Sequence, residues 1–276
     1  MKKSILYTAF LGFAALFTAC DEVSEGERYI SLPQVETKRN VLLEDFTGQF
    51  CSNCPIAHAT INSLKAQYGS SLIAVSVHAT DVFGIMEGQY PTIVGLMQPE
   101  GNIYAAKWGA SDLPTGIINR SGGLCNYDKW GTAVREALAK DTKVAIELSA
   151  DTVPGKDSIA IAVELNPSAV VYGKLQLWIT ESNITALQQN GPNLDVNYVH
   201  NHVFRACVNG TWGEDVALQE NVHQTLERGI KVKSNWVKEN LSVVAFVYND
   251  AEGVMQAAEC LSLIHISEPT RLLSIS

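Results

Sequence analysis

The sequence has no cluster of lysine or arginine residues. Its 276 residues carry 20 basic and 29 acidic side chains, which gives a formal net charge of -9. Proteins that bind nucleic acids need a basic surface to contact the phosphates. We therefore expect no nucleic-acid partner.

Long apolar runs are also scarce. The run Ile5–Phe17, which follows Lys2 and Lys3, is too short for a comfortable membrane span and predicts a secretory signal peptide over residues 1–19. The signal ends in Phe17-Thr18-Ala19-Cys20, which resembles a bacterial lipobox. We expect lipidation at Cys20, anchoring in a membrane, and a charged membrane tether over residues 20–38. An ordinary secreted protein is the alternative.

Cysteine is rare, and only one pair has the Cys-x-x-Cys spacing. Cys51 and Cys54 follow the apolar run Val41–Phe46, which predicts a buried strand, and precede apolar residues at helical spacing. The pair is therefore expected at a helix N-terminus, where free backbone N–H groups favour a thiolate. We predict that Cys51 is the nucleophile and Cys54 the resolving thiol.

Two other interpretations of this pair stay open. The cysteines could be half of a zinc site with His58 or His78, although no second Cys-x-x-Cys follows. They could also form an inert structural disulfide. His58 lies too far along the helix from Cys51 for a direct hydrogen bond, so a packing or supporting role is expected for it, and His78 is expected to be a satisfied structural histidine.

The strand, loop and helix pattern resembles the thioredoxin superfamily. That resemblance implies that Asp45, six residues before Cys51, accepts a proton from Cys54, and that Pro114 is a cis-proline beside the disulfide. It also implies a thioredoxin-like α/β domain over residues 39–140. Residues 79–110 are longer than the corresponding helix of simple thioredoxins and are interpreted as an insertion. A closing helix is predicted from Asp128 to Lys140.

Beyond Lys140 the sequence has almost no helical periodicity. Short alternating runs separated by turn signals predict an all-β, immunoglobulin-like sandwich domain over residues 141–260. The runs are Val144–Leu148, Ile159–Leu165, Lys174–Thr180, His202–Val208, Gln224–Val232, Leu241–Tyr248 and Val254–Glu259. His200 and His202 would share a strand face and could bind a metal, but no third ligand is identifiable. Cys125 and Cys207 could pair or remain free thiols.

The C-terminal stretch, residues 261–276, resembles the translation of a sequencing adapter. We interpret it as an adapter-derived artefact, exclude it from the fold prediction and expect the native C-terminus to be missing.

Several motifs together resemble the outer-membrane-protein-28-related lipoproteins. They are Gly48-Gln49-x-Cys51-x-Asn53-Cys54-Pro55, Ala57-His58, Val75-Ser76-Val77-His78, Leu113-Pro114-Thr115-Gly116, His200-Asn201-His202 and Gln256-Ala257-Ala258-Glu259. The resemblance implies an outer-membrane, lipid-anchored protein, which is either surface-exposed or periplasm-facing.

Two functions follow as hypotheses. The first is a thiol-disulfide oxidoreductase that acts on the thiols or disulfides of exported proteins through Cys51 and Cys54, with Asp45 and Pro114 in support and no cofactor. The second is a surface binding or adhesion lipoprotein in which the fold is a non-catalytic scaffold. The sequence does not determine the oligomeric state.

Overall fold

The structure is a computed structural model that describes residues 38–261. Its three α-helices are α1 (Cys54–Tyr68), α2 (Pro99–Trp108) and α3 (Tyr127–Leu138). The first five strands are β1 (Val41–Thr47), β2 (Leu72–His78), β3 (Thr115–Ile118), β4 (Ser121–Cys125) and β5 (Val144–Thr152). The later strands are β6 (Ser158–Pro167), β7 (Val171–Glu181), β8 (Ile184–Asn190), β9 (Asn193–His200), β10 (Val203–Cys207), β11 (Glu214–Leu218), β12 (Gln224–Lys231), β13 (Leu241–Asn249) and β14 (Gly253–Leu261).

A large mixed sheet organises the described residues. Its strand order is β14-β13-β7-β10-β2-β1-β3-β4, and β11 pairs with β7 in addition. β1 and β2 are parallel, and every residue of both strands is buried. Parallel strands that are covered on both faces are typically continuous apolar runs, which explains the composition of these two segments.

The predicted fold class, an α/β thioredoxin-like domain with an insertion followed by an all-β immunoglobulin-like sandwich, is wrong. The described chain is mostly β, and strands from both halves of the sequence belong to one mixed sheet. β10 lies beside β2 through the pair Val203 and Ser76, so the sheet continues from the first half into the second. Alternating apolar residues show which face of a strand is buried, but they do not show which strand lies next to it. The domain boundary near residue 140 stays a prediction.

The three helices cover the two faces of the central strands. On one face Val41 and Leu43 of β1 pack with Ile61 of α1 and with Trp130 of α3. The alternate residues of β1 point to the opposite face, where a second apolar cluster includes Tyr104 of α2. Because side chains alternate along a strand, Asp45 and Thr47 project toward α1 together with Val41 and Leu43.

Two smaller sheets complete the described structure. β12, β6 and β5 form a three-stranded sheet whose apolar residues pack against β7 and β13 of the large sheet. β8 and β9 form a two-stranded hairpin. All seven predicted strand runs beyond Lys140 correspond to strands, but β8, β9 and β11 were not predicted. Of the other predictions, the signal peptide, most of the tether and residues 262–276 lie outside the described residues.

Candidate functional site

Cys51 and Cys54 form a disulfide in the loop between β1 and α1. Their Cα atoms are 5.5 Å apart, and Cys54 is the first residue of α1, as the sequence predicted. Pro55 occupies the first turn of this helix, where its missing N–H has no cost in hydrogen bonds. Cys51 is only 2% exposed, and Cys54 is fully buried. The exposed residues of this loop are Phe50, Ser52 and Asn53.

Asp45 is fully buried on the face of β1 that α1 covers. Its Oδ2 accepts a hydrogen bond of 3.3 Å from the hydroxyl of Ser76, and its Oδ1 has no hydrogen-bond partner. Burial raises the pKa of Asp45 to about 7, and the bond from Ser76 opposes this only in part. A carboxyl group with this pKa can both hold and release a proton near neutral pH.

His58 connects Asp45 to the β8–β9 hairpin. Its Nε2 lies 3.7 Å from Oδ2 of Asp45 and 3.0 Å from Oγ1 of Thr47. Its Nδ1 lies 2.9 Å from the hydroxyl of Tyr198 on β9. Burial, together with His200 and His202, lowers the pKa of His58 to about 3, so the ring is neutral at physiological pH.

A cluster of histidines surrounds a cavity of about 30 Å³ behind α1. The ring nitrogens of His78 and His200 are buried without a hydrogen-bond partner, so His78 is not the satisfied structural histidine that was expected. Burial lowers the pKa of both rings, to about 4 for His200. His202 lines the same cavity. Among residues 38–261, no three His, Cys, Asp or Glu side chains are grouped in a way that could hold a metal ion.

The β8–β9 hairpin is bonded to the disulfide loop. The side-chain amide of Gln188 donates to the carbonyl oxygens of Gly48 and Cys51, at 3.1 and 3.0 Å. The backbone N–H of Gly191 donates to the carbonyl of Ser52 at 2.9 Å. These bonds hold the hairpin against the loop and help to bury Cys51. Neither Gln188 nor Tyr198 lies in a motif or in a predicted strand, so neither residue could be identified from the sequence.

Pro114 lies in a groove of about 460 Å³ that is also lined by Asn53 of the disulfide loop and by Cys125. The Leu113–Pro114 peptide bond is cis, as the resemblance implied. Cys125 and Cys207 are both free, which settles the pairing that the sequence left open. Burial raises the pKa of the Cys207 thiol to about 11, so this thiol is not a reactive thiolate. The lipidation site predicted at Cys20 lies outside the described residues.

These observations define a mostly β protein with a disulfide at a helix N-terminus and a buried carboxyl group on the strand that precedes it. The family model described as "Outer membrane protein Omp28" matches residues 101–260, more than half of the chain. The chain belongs to the Omp28 family of outer membrane proteins. This assignment confirms the resemblance and the predicted lipid-anchored location at the outer membrane.

None of the helices between residues 38 and 261 is long and apolar enough to cross a membrane.

Among the similar solved structures, the first two below share the fold at low sequence identity. HBP35 of Porphyromonas gingivalis is 16% identical, with 87% of this chain and 79% of that chain covered and a TM-score of 0.60. A protein of Agrobacterium tumefaciens is also 16% identical, with 84% and 99% covered and a TM-score of 0.50. A domain of the outer membrane lipoprotein Omp28 from Porphyromonas gingivalis is 22% identical, with 44% and 88% covered and a TM-score of 0.32. The search of curated proteins found no match.

Proposed function

We propose that this outer-membrane protein exchanges thiols and disulfides with exported proteins through Cys51 and Cys54. The observation that carries the proposal is the disulfide at the start of α1 together with the buried carboxyl group of Asp45, which lies 3.7 Å from His58 of the same helix. An inert disulfide needs no proton acceptor of this kind. A buried group with a strongly raised pKa destabilises the protein and is typical of functional sites.

In the proposed reaction a thiolate of the partner protein attacks the Cys51 sulfur, and the Cys51–Cys54 bond breaks. The Cys54 sulfur leaves with the bonding electrons and takes the proton held by Asp45. A second partner thiolate then attacks the mixed disulfide, which releases Cys51 as a thiolate and leaves the partner with a disulfide. Two electrons pass from the partner dithiol to the protein, and the reverse sequence reduces a partner disulfide.

The groove beside Pro114 supports the proposal because it gives a partner segment a place to lie. Asn53, between the two cysteines, lines the groove together with Pro114, so a chain bound there is next to the disulfide. The N–H groups at the start of α1 favour the Cys51 thiolate once the disulfide is reduced.

The test is a redox titration of the full chain. The protein is equilibrated in glutathione buffers of graded potential, quenched with acid, alkylated and analysed by mass. We expect Cys51 and Cys54 to change together from disulfide to dithiol, and we expect Cys54→Ser to accumulate a mixed disulfide at Cys51. The matched control is Cys125→Ser, which should titrate like the wild type. A pair that never exchanges with glutathione or with a dithiol contradicts the proposal.

A second candidate function, a surface binding or adhesion lipoprotein with an inert disulfide, is favoured by the burial of Cys51. A Cys51→Ser, Cys54→Ser double variant separates the two functions. It retains every cellular phenotype if the protein is a scaffold and loses them if the protein is an oxidoreductase. Protease treatment of intact cells shows in addition whether the protein faces the medium or the periplasm.

A further inference from the structure

We propose that His58 and Tyr198 form a proton relay that connects Asp45 to solvent during thiol-disulfide exchange. The inference rests on the proposed function and assigns a role to two residues outside the disulfide loop. Asp45 has no exposed surface, so a proton that it exchanges with Cys54 needs a path to water.

The contacts of His58 provide such a path. On one side of the ring, Nε2 lies 3.7 Å from Asp45 Oδ2, a distance that a small rotation closes to a hydrogen bond, and Oδ1 of the same carboxyl group has no partner. On the other side, Nδ1 is hydrogen-bonded to the Tyr198 hydroxyl at 2.9 Å. One ring nitrogen therefore faces the buried carboxyl group of Asp45, and the other faces the hydroxyl of Tyr198.

Tyr198 completes the path because it lies at the protein surface. It is half-buried on β9, whose other residues are mostly exposed. His58 and Tyr198 also line the cavity of about 30 Å³, which is large enough for a water molecule. His58 itself belongs to α1, four residues after Cys54, and therefore lies about 6 Å further along the helix than that cysteine.

The relay conserves protons and needs no stable imidazolium. When Cys54 leaves as a thiolate, Asp45 gives it a proton and draws a replacement from Nε2 of His58. Nδ1 of His58 takes the phenol proton of Tyr198, and water reprotonates the phenolic oxygen. The ring passes from one neutral tautomer to the other. Oxidation of the pair moves a proton in the opposite direction and restores the first tautomer, so each complete cycle returns the ring to its starting state.

The neutral ring suits this role, since its low pKa keeps both lone pair and N–H available at physiological pH. Several titratable groups face the relay from the surrounding elements. They are Asp45 on β1, Lys65 on α1, His78 on β2, Asp195 and His200 on β9, and His202 and Arg205 near β10. Because these groups also set the electrostatic field at the relay, a change in a pH profile is not sufficient proof, and the test uses proton transfer itself.

The test compares Tyr198→Phe with the wild type in the full chain. Phenylalanine keeps the ring that packs against His58 and His200 but removes the hydroxyl. Turnover is followed with a fluorogenic glutathione disulfide and dithiothreitol as the electron donor. We expect kcat to fall about tenfold with KM unchanged, which is less than the ~10²–10⁴-fold effect of removing a general base, because Asp45 remains. Tyr172→Phe, on the exposed face of β7, is the matched control and should behave like the wild type.

Imidazole distinguishes a relay from a structural role. Free imidazole can deliver protons to the accessible part of the His58 side chain, so raising its concentration should restore the kcat of Tyr198→Phe and leave the wild type unchanged. An unchanged kcat in the variant, or a reduced kcat that imidazole does not restore, overturns the relay. His58→Gln, which keeps a hydrogen-bonding side chain but cannot change tautomer, should show the same loss as Tyr198→Phe.

A second measurement keeps the relay testable if the wild type shows no turnover, which would contradict the proposed function alone. The infrared carboxyl band of Asp45, assigned with Asp45→Asn, is followed after a pH jump across the pKa of about 7. We expect protonation of Asp45 to be at least about tenfold slower in Tyr198→Phe than in the wild type. Equal rates in the two proteins overturn the relay whether or not the disulfide is active.

Discussion

The buried carboxyl group of Asp45 should make the stability of the oxidised protein fall as pH rises through neutrality. Its pKa is raised from 3.8 to about 7 in the folded protein. Between pH 3.8 and about pH 7, Asp45 is therefore protonated in the folded protein and ionised in the unfolded chain. The stabilising contribution of the protonated group is complete below pH 3.8, decreases above it, and is gone once the pH exceeds about 7.

The expected magnitude follows from the size of the shift. About three pKa units correspond to ~4 kcal/mol of unfolding free energy when the group is ionised in both states. Between about pH 5 and pH 8 the unfolding free energy should lose roughly 2–3 kcal/mol of this contribution from Asp45. Asp45→Asn carries a neutral amide at every pH, so it lacks the pH-dependent contribution of the carboxyl group to stability. The unfolding free energy of the variant relative to the wild type should therefore rise by roughly 2–3 kcal/mol over that interval.

Urea unfolding followed by tryptophan fluorescence measures this difference at the two pH values. Other titrating groups, including the buried histidines, act in both proteins and cancel to first order when the two are subtracted. Asp250→Asn, in the exposed turn between β13 and β14, makes the same chemical change at the surface and should give a constant difference. If Asp45→Asn and the wild type change in parallel between the two pH values, the carboxyl group is not held protonated by burial, and its assignment as proton carrier fails.

Three further predictions concern the packing around the site. Arg120→Met should lower the unfolding free energy by about 3–5 kcal/mol, because Glu44, bonded to Arg120 at 2.6 Å, would be left buried without a partner. Gly253→Ala should lower stability by at least ~1 kcal/mol more than Gly155→Ala in thermal unfolding. Both glycines have positive φ, but only at Gly253 would a Cβ atom overlap a backbone oxygen, that of Asn119. Gln188→Ala should make the disulfide react several-fold faster with dithiothreitol, because the hairpin loses its two side-chain bonds to the disulfide loop.

Matched controls accompany these variants. Lys143→Met breaks an exposed ion pair with Glu252, so it should change stability by less than about 1 kcal/mol, and a loss as large as that of Arg120→Met would show that burial of the pair is irrelevant. The exposed Gln219→Ala should leave the rate of reduction unchanged. If dithiothreitol reduces the disulfide of Gln188→Ala at the wild-type rate, the hairpin does not limit access to Cys51.

Much of the local structure around the site could be predicted from the sequence. The strand before Cys51 and the helix that begins at Cys54 follow from an apolar run and from residues at helical spacing, and both were found. The closing helix was predicted from Asp128 and is found from Tyr127 with Trp130 and Val134 buried. These elements depend on local periodicity, which a sequence records directly.

The partners of these elements could not be predicted in the same way. Gln188 and Tyr198 meet the disulfide loop and His58 from positions 137 and 140 residues away in the sequence. Their strands, β8 and β9, are rich in polar residues, and most residues of β9 are exposed, so neither strand contains a buried apolar run of the kind that predicts β1. The pairing of β10 with β2 likewise depends on contacts that no local pattern specifies, which is why the predicted fold class was wrong.

The pairing of β10 with β2 has a consequence for how the protein is made. Ser76 in β2 bonds through its N–H to the carbonyl of His202, so the edge of the first parallel pair stays open until a segment more than a hundred residues later has emerged. Pairing across such sequence distances is slow, because the entropy of closing the loop is lost before the contacts form. A chain that is still being exported therefore presents β2 as an unprotected edge, which favours pairing with other chains. The envelope must keep this segment apart from its neighbours until the second half of the sequence arrives.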